Sequence, residues 1–276
     1  FQKPLVIAGP CSAESREQVL TTAKGLVDKA TIFRAGIWKP RTRPNSFEGV
    51  GEKALPWLKE VQTEIGLKVA TEVANAQHVE ACLKAGIDIL WVGARTTVNP
   101  FYVQEIAEAL KGVDISVMVK NPLHPELSLW MGALERFNQV GISKLSAIHR
   151  GFFTLEKSAF RNEPKWELPI KLKRLNPDLP IICDPSHISG SSQMLAEVSQ
   201  TAMDLNMDGL MIETHYKPSV ALSDAQQQIT PDELGVLLDN LILRSSTHPN
   251  AQFKSTLNKL RQKIDIIDKK LVDIVG

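Results

Sequence analysis

Short apolar runs alternate with longer amphipathic ones along most of this chain. The runs over 5–8, 31–34, 67–71, 87–92, 115–120, 144–149, 180–184 and 209–213 are apolar and lack a 3.6-residue period. That is the pattern of parallel strands buried on both faces. Between them, residues 16–29, 76–84, 102–110, 127–140 and 193–206 carry apolar positions at helical spacing,. A further helix over 231–243 follows the last strand, with Thr230 as N-cap ahead of Pro231,. The segments between the second and third strands, and between the sixth and seventh, read less cleanly. Eight strand–helix units predict an α/β fold, a (β/α)8 TIM barrel. A doubly wound open sheet fits six of the units as well.

After Arg244 the texture changes. Residues 245–252 read as a linker,. Then Phe253, Leu257, Leu260, Ile264, Ile267, Leu271 and Ile274 recur at spacings of four and three, an apolar stripe on one helix face,. A lone helix of that length is marginal in water and needs a partner. The expected organisation is a barrel over 1–244, a linker over 245–252 and the start of a further helix over 253–276.

Composition narrows the classes. The chain has 276 residues, and one such barrel takes about 250. Its 32 basic and 31 acidic residues leave a net charge of +1, so neither nucleic acid nor an anionic membrane is an expected partner. No apolar run approaches the ~18 residues of a spanning helix. The three cysteines, Cys11, Cys82 and Cys183, do not make a disulfide framework and suggest a reducing compartment. With no basic-then-apolar leader after Phe1, the expected location is cytoplasmic,.

The polar residues decide between barrel and open sheet. Just past the C-terminal ends of the eight strands come Cys11, then Arg34 with Lys39 and Arg41, then Glu72, Arg95, Lys120, Arg150, His187 and Glu213. Catalytic residues of a TIM barrel collect on that rim. Arg34, Lys39, Arg41, Arg95, Lys120 and Arg150 converge as cations on one mouth, the residue types that grip phosphate and carboxylate. Any one alone reads as a surface charge; the set, in a nearly neutral protein, does not. Cys11, His187, Glu213 and Asp224 offer a mixed soft and hard donor set suited to a divalent Mn, Fe, Co or Zn ion. Each also has a plain reading, as packing, turn-capping or loop residue, and no metal-binding spacing motif supports the four. Cys82 and Cys183 read as packing residues.

These residues sit in runs that appear in this order: Gly9-Pro-Cys-Ser-Ala-Glu-Ser15, Lys39-Pro-Arg-Thr42 followed by Ser46-Phe-Glu-Gly49, Gly93-Ala-Arg95, Val119-Lys-Asn-Pro122, His149-Arg-Gly151 and Asp184-Pro-Ser-His187. Together they resemble the short type I 3-deoxy-D-arabino-heptulosonate 7-phosphate (DAHP) synthases, over roughly residues 5–243. The resemblance implies a transferase that condenses phosphoenolpyruvate, erythrose 4-phosphate and water into DAHP and phosphate, the entry step of the shikimate pathway to aromatic amino acids. It also implies residue roles. Cys11, His187, Glu213 and Asp224 match the ligands of a divalent metal. Arg95, Lys120, Arg150 and the amide of Ala94 match the grip on the phosphoenolpyruvate phosphate, and Arg34 and Lys39 the holders of its carboxylate side. Arg41 and Thr42 match the pair that takes the aldehyde's phosphate. Lys39, Glu72, Lys120 and Asp184 match the catalytic residues, the acids without an assigned proton role. Family members are commonly dimers or tetramers, so a homo-oligomer is expected.

The alternative is 3-deoxy-manno-octulosonate 8-phosphate synthase, which shares the barrel and phosphoenolpyruvate. Its second-strand loop reads Lys-Ala-Asn-Arg, whereas this one reads Lys39-Pro-Arg-Thr42, which favours the four-carbon aldehyde. A Schiff-base aldolase using Lys120 and a non-enzymatic phosphate-binding barrel are weaker readings. In the tail, Leu260-Arg-Gln-Lys-Ile264 and Asp268-Lys-Lys-Leu271 resemble the opening of the first helix of an all-helical chorismate mutase, Arg261 matching a chorismate-binding arginine. That likeness implies either the synthase part of a bifunctional enzyme, with the mutase domain in the same full-length chain, or a dimerisation helix, and the first is favoured because the stripe ends in mid-pattern. Mutase activity is not expected from these residues alone.

Overall fold

The strands form where the apolar runs lie, because an apolar run with no polar face must be covered on both sides. In this computed structural model, which describes residues 4–39, 46–156 and 158–243 together with Leu260, Lys263 and Ile267, they are β1 (Leu5–Gly9), β2 (Ile32–Arg34), β3 (Lys68–Val73), β4 (Ile89–Val92), β5 (Ser116–Lys120), β6 (Leu145–His149), β7 (Ile181–Cys183) and β8 (Gly209–Glu213). All pair in parallel in sequence order, and β8 closes on β1, so the sheet is a closed barrel. The open-sheet alternative is thereby excluded.

The helices are α1 (Arg16–Gly25), α2 (Leu55–Glu60), α3 (Ala76–Ala85), α4 (Ala94–Thr97), α5 (Pro100–Ala109), α6 (Leu127–Gln139), α7 (Glu167–Leu175), α8 (Pro185–Ser189), α9 (Leu195–Asp204) and α10 (Pro231–Asn240). Their starts are written in the sequence. Side chains of Ser15, Asn75, Asn99, Asp184 and Thr230 accept the first free amides of α1, α3, α5, α8 and α10,. The helices expected over 16–29 and 231–243 stop earlier, at Gly25 and Asn240, and the one over 193–206 opens as a 3-10 turn, Ser192–Met194, before α9.

The barrel interior is filled by Ile7, Ile32, Ala70, Ile89, Trp91, Met118, Ile148, Ile182 and Met211, which pack as one cluster drawn from every strand. Two residues further along each strand, on the same face by the two-residue alternation, stand Gly9, Arg34, Glu72, Gly93, Lys120, Arg150, Asp184 and Glu213. An apolar floor therefore gives way to a charged layer in one step of the pleat. The register of β1 on β8 aligns Gly9 with Glu213, which brings the loop carrying Cys11 beside that carboxylate. Gly9 has φ +147°, and a Cβ there would lie 2.0 Å from the Arg34 carbonyl oxygen, so no other residue lets β1 and β2 approach as they do.

The chain divides into two units, one over Gln2–Ile242 and one made of Phe1 with Leu243–Gly276. In the second unit Leu260, Lys263 and Ile267 are helical and exposed. The rest of the apolar stripe, the linker over 245–252 and the mutase-like residue Arg261 lie outside the described residues. No helix among the described residues is long and apolar enough to cross a membrane.

Candidate active site

Asp184 organises one side of the mouth. It caps α8, its Oδ1 accepting the amide of His187 at 3.0 Å and lying 3.0 Å from that imidazole's Nδ1. Its Oδ2 accepts Lys120 Nζ at 2.8 Å. Burial opposes the ionisation of Asp184, yet His187 and Lys120 hold its carboxyl well below the usual carboxylate range,. Burial also lowers the pKa of His187, against the pull of Asp184. With Nδ1 held by Asp184, its Nε2 points toward Glu213, 3.9 Å from Oε1.

The other side is built on Cys11, Glu213 and Asp224, whose ligating atoms lie within 4.8 Å of one another. Cys11 Sγ is 3.2 Å from Asp224 Oδ2 and 3.0 Å from Lys39 Nζ. Burial first, then Glu213, pushes the Cys11 thiol up to about 12 despite Lys39. Burial of Asp224 is overridden by Arg161 and then His187, which hold its carboxyl below the usual range. Glu213 is also held low, by His187, Arg34 and Lys39 against its burial. Arg34 lies beneath the group, 1% exposed. Its Nη1 donates to Glu213 Oε1 at 2.8 Å, its Nη2 to the Cys11 carbonyl at 3.2 Å, and its guanidinium sits 4.7 Å above the Trp91 ring, a cation–π contact.

Among the described residues, Cys11, Glu213 and Asp224 group closely enough to share one ion, and His187 lies beside that cluster without joining it. A thiol and two carboxylates with an imidazole alongside are the mixed ligands that divalent transition metals take. The imidazole has one nitrogen held by a carboxylate, the arrangement that orients a ligating histidine.

Arg150 lines the next stretch of rim. Its amide donates to Asn121 Oδ1 at 2.7 Å and its Nη1 to Asn162 Oδ1 at 2.7 Å. Burial, with Arg161 and Arg95 adding, pushes its pKa down to about 10 against Asp184, so it stays protonated at pH 7 among other cations and is poised for an anion. Ala94 is buried at the start of α4, and Arg95 beside it is exposed. Glu72 accepts Trp91 Nε1 at 2.9 Å through Oε2 and packs against Gly93, where a Cβ would lie 2.1 Å from its Oε1. Arg41 and Thr42 lie outside the described residues.

The model of the DAHP synthetase I family matches residues 2–244. The chain belongs to this family. Phospho-2-dehydro-3-deoxyheptonate aldolase of Thermotoga maritima is 32% identical over 225 residues, 81% of this chain and 64% of that protein. A 2-dehydro-3-deoxyphosphooctonate aldolase of Wolinella succinogenes is 28% identical over 267 residues, 87% of this chain and 99% of that one. The crystal structure of the Thermotoga maritima DAHP synthase matches with a TM-score of 0.78 at 30% identity, over 86% of this chain and 68% of the other. A truncated form of the Thermotoga maritima enzyme matches with a TM-score of 0.74 at 27% identity, over 86% and 84% of the two chains.

In this member of the DAHP synthetase I family the site draws on residues that sequence patterns do not single out. Trp91, one of a run of apolar strand residues, bears Arg34 on its face and Glu72 on its N–H. Asn162 joins Arg150 to the His187 carbonyl, which accepts its Nδ2 at 2.6 Å. Arg161 and Gln227 bind the carboxylates of Asp224 and Glu213. The one available signal was adjacency, since Asn162 and Arg161 share the loop after Arg150, and Gln227 is three residues from Asp224.

Proposed function

We propose that this chain condenses phosphoenolpyruvate with D-erythrose 4-phosphate and water to give DAHP and inorganic phosphate. The observation that carries the reading is the cluster of Cys11, Glu213 and Asp224 on the barrel mouth with Lys39 on Cys11, beside His187 and Lys120 on Asp184 and Arg150 on Asn162, in a chain of this family.

Arg95, Arg150, Lys120 and the Ala94 amide take the phosphate of phosphoenolpyruvate. Lys39 and Arg34 supply positive charge on its carboxylate side, Arg34 from below through its bonds to Glu213 and Cys11. Arg41 and Thr42 take the phosphate of the aldehyde. The methylene carbon of phosphoenolpyruvate then bonds to the aldehyde carbon, whose oxygen gains a proton. Water adds to the former enol carbon and the bond from that carbon to the phosphate oxygen breaks, leaving the ketone, while one of water's protons ends on the new hydroxyl and the other on the released phosphate. Fixed cations stabilise the charge as it moves without having to reorganise. Asp184 keeps Lys120 and His187 in place, and Glu72 stands as a rim carboxylate fixed by Trp91. Cys11, Glu213 and Asp224, with His187 beside them, would hold a divalent metal, which would supply Lewis acidity to the reaction,.

The chain is read as the synthase part of a bifunctional protein, cytoplasmic and homo-oligomeric. The likeness to 2-dehydro-3-deoxyphosphooctonate aldolases favours a second reading in which arabinose 5-phosphate is the aldehyde. One experiment separates the readings. The loss of the enol absorbance of phosphoenolpyruvate is followed after chelation and again with Mn²⁺, with either aldehyde. Metal-dependent loss with erythrose 4-phosphate alone is expected. Loss only with arabinose 5-phosphate moves the assignment to the octulosonate synthase, and no loss with either ends the catalytic reading. Cys11→Ala is expected to abolish the metal-dependent turnover, and an unchanged rate in that variant removes the metal assignment.

A further inference from the structure

One short chain of hydrogen bonds takes one oxygen of each of the Asp224 and Glu213 carboxylates, Oδ1 and Oε2. Arg161 Nη1 donates to Asp224 Oδ1 at 3.0 Å and to Gln227 Oε1 at 2.7 Å. Gln227 Nε2 donates to Glu213 Oε2 at 2.7 Å. The orientation of the amide is unambiguous, since a guanidinium only donates and a carboxylate only accepts. Gln227 is 1% exposed, so water does not replace either bond. Of the opposite oxygens, Asp224 Oδ2 is 3.2 Å from Cys11 Sγ, and Glu213 Oε1, which accepts Arg34 Nη1 at 2.8 Å, is 3.9 Å from His187 Nε2.

The backbone supports the same reading. Asp224 has φ +48°, a left-handed conformation that a non-glycine residue keeps only where its surroundings hold it. The turn that follows, Ala225–Gln227, delivers Gln227 to Glu213. The next residue, Gln228, accepts the amide of Cys11 at 3.0 Å through Oε1. One loop thus supplies a donor atom and fixes the neighbours of two others.

We propose that Gln227 and Arg161 are positioning residues of the metal site, holding the carboxylates of Glu213 and Asp224 so that their remaining oxygens converge with Cys11 and His187 on one ion. The inference rests on the reading of those four residues as metal ligands. Without Gln227, Glu213 Oε2 is buried with no donor and the carboxylate turns to find one. Without Arg161, Asp224 loses the first of its counter-charges and Gln227 Oε1 loses its donor, so both carboxylates loosen.

The test is a Co²⁺ titration of the metal-free protein, followed by the thiolate-to-cobalt charge-transfer band, in the wild type and in the Gln227→Met, Arg161→Gln and Arg161→Lys variants. Melting temperatures of the metal-free proteins are measured alongside. The wild type is expected to develop the band at one equivalent. Gln227→Met and Arg161→Gln are expected to weaken Co²⁺ binding by about 10- to 100-fold, the range seen when partners of metal ligands are removed, and Arg161→Lys by less. Arg161 is about half exposed, so its variants carry the test if Gln227→Met melts early. A wild type that binds no Co²⁺ removes the metal reading itself. A wild type that binds, with Arg161→Gln binding equally well, overturns the positioning roles alone.

Discussion

Several charges in the barrel mouth, Glu72, Asp184 and Glu213 among them, are held by neighbouring side chains, and single residues test how. Glu72 is fixed by the Trp91 N–H and by the absence of a side chain at Gly93. The atom that a Cβ at position 93 would meet is the end of a flexible side chain, so Gly93→Ala displaces Glu72 without disturbing the barrel. Its melting temperature is expected to fall by only about 2–4 °C, and kcat/KM by about tenfold or more; steady-state kinetics beside a thermal melt check both. His149 makes a second, independent prediction. Its ring is buried among Trp130, Phe152 and Trp166, and burial, followed by the charge of Arg150, pushes its pKa down to about 3. The unfolded chain takes up this proton near pH 6.5 and the folded one does not, so stability is full above that pH and falls as pH drops toward 3. The slope for one proton is about 1.4 kcal/mol per pH unit. Urea unfolding of His149→Phe between pH 6.5 and 4 is expected to show a dependence shallower by that one proton, and identical slopes refute the burial argument.

Elements explain both what the sequence disclosed and what it withheld. The strands were legible because a run such as Ile89–Val92 has no polar face to leave exposed, and the capped helices because their first residues name the cap. Thr230 and Glu233 form a reciprocal capping box on α10, and Thr230→Ala is expected to cost about 1 kcal/mol, a fall of about 2–4 °C in melting temperature with kcat unchanged. α2 was not legible because a 3-10 turn precedes it and a π turn, Val61–Ile65, follows it, and three pitches in succession erase any single period. α7 follows a long loop in which Phe152 and Glu163 pair antiparallel, their amides exchanging bonds at 2.8 Å, a pairing with no strand-length pattern to announce it. The charged rim could be read because it sits two residues beyond an apolar interior position on most strands, as Lys120 stands beyond Met118 and Glu213 beyond Met211. Arg161 and Gln227 could not, since a loop arginine and a glutamine are commonplace until the fold brings them to Asp224 and Glu213.

At the scale of the molecule, closure decides what can be removed. The barrel is complete once β8 pairs with β1, and the catalytic candidates are complete at Asp224. What remains to finish the fold is α10, whose capping box secures its start and which lies wholly within the unit ending at Ile242. The family match also ends at residue 244. The two described residues of the apolar stripe beyond it, Leu260 and Ile267, are about half exposed and so add little burial. A chain ending at Leu243 is therefore expected to melt within about 2 °C of the longer one and to turn over phosphoenolpyruvate and erythrose 4-phosphate at a rate within about twofold. Neither chain is expected to convert chorismate to prephenate. Differential scanning calorimetry and the phosphoenolpyruvate assay on the two chains decide the matter. A shorter chain that aggregates or loses turnover shows that residues 244–276 belong to the working barrel, and the division between barrel and tail must then be withdrawn.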